Sequence, residues 1–241
     1  MIFNVFSTNL DVTQKILLFV ALLTALLAAL TLHEFAHAYV ALLNGDRTAK
    51  MNGRVSLNPM RHIDPIGFVM LMVVGFGYAK PVPVNPLNFK KRRLGLFTVS
   101  IAGVAVNLTL AIITSGIFMA VLVFSSLSVN SFLMQFLWYF QSINLALCFF
   151  NLLPFFPLDG FNVLASFCRP GNRFIVFMRK YGLYIFFVII GLSLIVQRFD
   201  PGRETVIRYF DLLGTYFRYT ADMVLKGLLW LWGRIFGIPL G

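Results

Sequence analysis

Charge is what this sequence lacks. Asp, Glu, Lys and Arg make up 12% of its 241 residues, where a soluble domain carries about 25%. With 59% of residues hydrophobic and gathered in long runs, the composition excludes an ordinary soluble enzyme and places the chain among membrane proteins. Acidic residues are scarcer than basic ones, nine against 20, for a net charge of +11. Such an excess can bind nucleic acid. Here, however, the Lys and Arg residues cluster between apolar runs, as the positive-inside rule requires, and no nucleic-acid partner is expected. The two cysteines, Cys148 and Cys168, are too few for a disulfide framework and read as structural thiols. No Lys or Arg precedes Lys15, and the first apolar run passes into His33 without a small-residue cleavage site. It therefore reads as a retained span rather than a cleaved signal. There is no internal repeat and no low-complexity segment.

What is present is a series of apolar runs. The first covers Ile16 to Leu43, longer than the ~20 residues a spanning helix needs, and stops at the turn residues Asn44-Gly45-Asp46. Others cover Leu94–Phe124, Phe132–Leu153 and Tyr181–Val196. The piece Ile66–Tyr78 is too short for a span and reads as a short helix or a re-entrant element, which is tolerated at depth only under protein cover. The prolines of Lys80-Pro81-Val82-Pro83-Val84-Asn85-Pro86 exclude a helix interior and predict an extended, edge-like segment. The expected fold is an all-α multi-spanning membrane protein of about four to six membrane helices, with a short re-entrant or extended β element after the first span. Residues 1–197 form the membrane-embedded core. Residues 198–241 form an amphipathic tail in which Trp230 and Trp232 stand beside Lys226 and Arg234, suiting an interfacial helix or a last short span. The segment 44–93 holds nine Lys/Arg and 169–180 holds four, whereas 125–131 holds none. The first two are expected in the cytoplasm and the third outside, provided that residues 66–78 return to the side they came from.

His33-Glu34-Phe35-Ala36-His37 is H-E-x-x-H. On a helix, residues four apart share a face, so both imidazoles can reach one ion, and Glu34 is placed to take a proton from a water activated there. The chain has three His and two Glu in all, which makes the pattern specific. Three polar side chains inside an apolar helix are costly and mark function or a buried polar cluster. A zinc site needs a third protein ligand. Asp159 follows the third span at a compatible depth: His37 lies ~9 Å along the helix from Leu43, near the same side. Asp159 also reads as a turn or cap residue before Gly160.

H-E-x-x-H in a first membrane helix, with Asn151-Leu152-Leu153-Pro154-Phe155-Phe156-Pro157-Leu158-Asp159-Gly160 on a later one, resembles the site-2 protease family of intramembrane zinc metalloproteases, peptidase family M50. The likeness covers about residues 30–165. Gly53-Arg54 to Pro59, His62-Ile63-Asp64-Pro65 and Ala79 to Pro86 resemble its short bacterial members, and no PDZ- or CBS-like domain is evident. The resemblance implies one Zn2+ held by His33, His37 and Asp159, with Glu34 as catalytic base. Asn151 matches the family's asparagine near the metal, where it could orient substrate, stabilise an oxyanion or bond a neighbouring helix. Ala102-Gly103-Val104-Ala105-Val106-Asn107 is similar to the family's A-G-P-x-x-N with Val104 in place of proline, and Asn107 reads as packing. His62 and Asp64 read as loop residues between Pro59 and Pro65. The expected function is hydrolysis of a peptide bond in or near a transmembrane segment of a membrane-protein substrate, in the lipid bilayer of the cell membrane, with the active site toward the cytoplasm. The alternatives are a non-proteolytic zinc-binding or transport protein and a pseudoprotease scaffold.

Overall fold

The computed structural model describes residues 10–74, 77–169, 171–199 and 210–238. Residues 75–76 of the short apolar piece and residues 200–209 and 239–241 of the tail lie outside the described residues. The apolar runs are helices, because in lipid a helix satisfies its backbone groups internally. They comprise α1 (Val12–Leu43), α2 (Thr48–Met51), α3 (Pro65–Val74), α4 (Arg92–Phe124), α5 (Phe132–Asn151), α6 (Asp159–Phe167), α7 (Arg173–Phe199), α8 (Leu212–Phe217) and α9 (Met223–Ile235). Four of them, α1, α4, α5 and most of α7, are long and apolar enough to cross a membrane. The chain is thus an all-α multi-spanning membrane protein, and no strand occurs among the described residues.

Two boundaries differ from the sequence reading. Helix α5 stops at Asn151 rather than Leu153, as the residue before Pro154 is pushed away from helical geometry. Helix α7 starts at Arg173 rather than near Tyr181. The Asn172 Oδ1 accepts from the amides of Phe174 (2.9 Å) and Ile175 (3.3 Å), so the basic residues 173–180 ride on the first two turns instead of a loop.

Helices α1, α4 and α5 pack against one another and form the core. Ala21, Ala25 and Ala29 are fully buried, and the last two stack on Phe140 and Ile143 of α5. Lipid is as apolar as leucine, so membrane helices associate where small residues let backbones approach. The C-terminal helices are fastened to this core. The Trp232 indole donates to Ser115 Oγ at 3.0 Å, and Leu229, Trp232 and Phe236 cover Phe118, Met119, Met134 and Leu137. The described part of the tail thus docks on α4 and α5.

The connection between α1 and α4 doubles back on itself. Asp64 Oδ1 caps α3 by accepting from the amides of Ile66 (3.0 Å) and Gly67 (2.9 Å). Ile63 and Ala79 form an isolated antiparallel bridge, and the Lys80 amide donates to the His62 carbonyl at 2.8 Å. A Cβ on Gly67 would lie 2.1 Å from the Tyr78 carbonyl oxygen, so this close return needs glycine. The two ends of the short apolar piece therefore lie side by side. The predicted extended element is present as residues 80–85, with a single bridge in place of a sheet.

Asp46 ties this connection to the end of α1. Its fully buried carboxylate accepts from the amides of Thr48 (3.0 Å) and Asn85 (2.7 Å) and from Asn88 Nδ2 (2.8 Å), as well as from the Thr48 hydroxyl. Burial alone would push this carboxyl up, but the donors from Asn88, Thr48 and Asn85 outweigh it and hold it below the usual 3.8. A depressed folded value means the stabilisation is complete above the ordinary carboxylate range and is lost as pH falls below it. Asp46→Asn turns one acceptor into a donor facing other donors. It is expected to cost about 1–3 kcal/mol, read as a lowered melting temperature in detergent at pH 7. An unchanged melting point would show that the anchor is dispensable.

Candidate metal centre

His33 and His37 are one helical turn apart on the buried face of α1. Their Nε2 atoms lie 3.0 Å from each other. Asp159 Oδ2 is 3.4 Å from His33 Nε2 and 3.2 Å from His37 Nε2. It is a buried oxygen with no hydrogen-bond partner. Asp159 occupies the first turn of α6, which packs against α4, and the helix N-terminus favours a carboxylate there. Gly160 makes the approach possible: a Cβ there would meet the Leu152 carbonyl oxygen at 2.3 Å. Among the described residues these three are the one group of His, Cys, Asp and Glu side chains placed to hold a metal ion.

The donor set fits zinc. Ligands at ~2.0–2.2 Å in a tetrahedron stand about 3.3 Å apart, close to the three separations given above. Two imidazole nitrogens facing a carboxylate oxygen at these distances are what a divalent cation of borderline softness resolves. Behind the ligand atoms, His37 Nδ1 meets the Val99 carbonyl of α4 at 2.7 Å.

The site opens into a cavity of about 330 Å³ lined by His33, Glu34, His37, Val82, Asn151 and Asp159, among others. Glu34 is half-buried, and its Oε2 accepts from the Val82 amide at 3.2 Å. The extended segment thus passes beside the carboxylate. Arg54, almost fully buried, clamps this segment by donating to the Lys80 and Pro81 carbonyls. Three stretches of the α1–α4 connection, around Arg54, His62 and Pro81, thereby meet at one place. Asn151 lines the same cavity and donates one amide hydrogen to the Leu147 carbonyl at 3.0 Å, leaving its second hydrogen. His62 is directed away: its Nε2 meets the Ser56 carbonyl at 2.7 Å. With Asp64 serving as the α3 cap, both act as loop residues. Sequence reasoning did not find Arg54 as the clamp of the segment, nor that Asn107 reaches the metal centre; the adjacency of His33 and Asn107 is visible only in space.

A bundle of membrane helices that buries two histidines and a carboxylate around one point, with a glutamate beside them, defines a membrane metallohydrolase. Comparison with known proteins makes this specific. The model of peptidase family M50 matches residues 115–194. The zinc metalloprotease by name YwhC of Bacillus subtilis is 40% identical over 79% of this chain and 90% of its own length. A protein of Mycobacterium tuberculosis named as the zinc metalloprotease Rip2 is 28% identical over 88% of this chain and 81% of its own. No solved structure matches. The chain belongs to peptidase family M50, the site-2 proteases, and is a zinc-dependent metalloendopeptidase of the multi-pass membrane type.

Proposed function

We propose that His33, His37 and Asp159 hold one zinc ion, that Glu34 is the general base, and that the chain cuts a peptide bond within or at the edge of a membrane-spanning segment of another protein. The observation that carries this reading is the convergence of three donor atoms, contributed by α1 and α6, on a cavity that Glu34 shares. Zinc, when bound, acidifies water and polarises a carbonyl. The remaining work belongs to the side chains. Glu34 takes the proton from the attacking water and returns it to the leaving amine. Asn151 lines the cavity, and its second amide hydrogen suits substrate orientation or charge developing on the scissile carbonyl oxygen. The basic segments 44–93 and 169–180, and the closely paired ends of residues 66–78, support a site on the cytoplasmic side.

A membrane helix has its carbonyls bonded internally and must unwind before one can react. The extended segment 80–85, which runs along the cavity with Pro81, Val82 and Val84 in its lining, suits pairing with the unwound stretch as an added strand. Purified protein is expected to cut single-span peptides inside or at the rim of the apolar stretch, with the site mapped by mass spectrometry. Replacing residues 82–84 with a Gly-Ser linker is expected to abolish cutting of helical substrates by more than about tenfold. Cleavage confined to soluble loops would sink the intramembrane reading, and full activity of the linker variant would sink the strand-pairing role.

A further inference from the structure

Helix α4 supplies no metal ligand, yet one of its faces is built against both histidines. Val99, Gly103 and Asn107 are spaced i, i+4, i+8 and so form one stripe. A Cβ on Gly103 would lie 2.5 Å from His33 Cε1 and 2.5 Å from His37 Nε2. The helix backbone therefore touches both rings, and only glycine admits them. On one side of this contact the Val99 carbonyl lies 2.7 Å from His37 Nδ1. On the other, Asn107 Nδ2 lies 3.0 Å from His33 Nδ1.

Asn107 is fully buried, and its Oδ1 has no hydrogen-bond partner. A buried amide oxygen without a partner is unfavourable, so packing alone is a poor reason for placing asparagine here. The Nε2 atoms of the two histidines face each other and Asp159, which leaves each Nδ1 turned toward α4. A ring that gives Nε2 to a metal carries its hydrogen on Nδ1. An acceptor is then required at that position. Val99 supplies one to His37. A half turn of the Asn107 amide, which leaves its shape unchanged, brings the unpartnered Oδ1 to His33.

We propose that Asn107 is a positioning residue for the metal centre: its amide oxygen accepts the Nδ1 hydrogen of His33 and fixes that ring with Nε2 directed at the ion, as the Val99 carbonyl does for His37. This rests on the reading that His33 and His37 are zinc ligands. It also explains the stripe as a unit, in which Gly103 sets the distance and its neighbours one turn either side supply an acceptor to each ring.

The test is zinc affinity, measured by competition with a chromophoric chelator on full-length protein in detergent, independent of turnover. Asn107→Leu, similar in size but without an acceptor, is expected to weaken zinc binding by about 10–100-fold. Asn107→Asp keeps an acceptor at the same reach and is expected to bind at least about tenfold more tightly than the leucine variant. If the leucine variant does not fold, as judged by size-exclusion chromatography and melting of the zinc-free protein, Asn107→Ala takes its place with the same expectation. Wild-type affinity in the leucine or alanine variant would overturn the proposal. So would equal weakening by Asp and Leu, the mark of a packing role alone. His33→Ala separates the two levels of argument. Should it retain wild-type affinity, the ligand reading itself fails and this inference falls with it. Should it lose zinc while Asn107→Leu does not, only this inference fails.

Discussion

Glu34→Gln is expected to lower kcat by about 10²–10⁴-fold while leaving one zinc per chain in place. The two parts of this result are separable because the proposed donor atoms belong to His33, His37 and Asp159 and not to Glu34. Its Oε2 is held by the Val82 amide at 3.2 Å, a bond that the glutamine carbonyl can also accept, so the local structure survives the exchange. What is lost is the ability to take a proton. A transport or storage protein needs ligands and no base, so it would be indifferent to this substitution. A pseudoprotease would show no hydrolysis to lose. Retained cleavage in the purified variant, with contaminating protease excluded by a metal chelator control, would remove Glu34 from the mechanism.

Asp159→Ala is expected to strip the metal. The carboxylate oxygen stands 3.4 and 3.2 Å from the two imidazole nitrogens. Without it the centre has two neutral ligands, below the three that a catalytic zinc requires. The affinity loss is expected to exceed the ~10–100-fold typical of an outer-shell change, with hydrolysis lost in parallel. Zinc content by elemental analysis after dialysis is the measurement, and one ion per chain in the variant would disqualify Asp159 as a ligand. The substitution leaves Gly160 and the approach of α6 to residues 152–153 intact, so collapse of the fold is not the expected route. Circular dichroism of the variant checks this directly.

These two residues also differ in how they can be found. Glu34 is legible because H-E-x-x-H is a local pattern: helical periodicity alone puts His33 and His37 on one face. Asp159 lies 122 residues beyond His37, and without the resemblance carried by residues 151–160 its spacing alone does not separate a ligand from a turn residue. It was reached through depth and family resemblance, and the closing of α6 onto the α1–α4 pair is what brings it within reach. Asn107 reads as packing in the sequence, and its partner His33 is 74 positions away. Arg54 was one basic residue of nine in its segment, and only the fold shows it buried against the segment beside Glu34.

The sequence by itself determined that the chain enters the membrane, which runs become helices, and that His33 and His37 share one helix face. Those outcomes depend on hydrophobicity and on the 3.6-residue repeat, both readable in a short window. The tertiary structure alone decided how closely Asp159 meets the two histidines, the α4 stripe behind them and the side-by-side placing of the ends of residues 66–78. It also decided the docking of the tail on α4 and α5. Each of these depends on how closely helices approach, which is set by pairs such as Gly103 with His33 and Ser115 with Trp232. Such pairs carry no local pattern, since the energy of each contact exists only once both partners are in place.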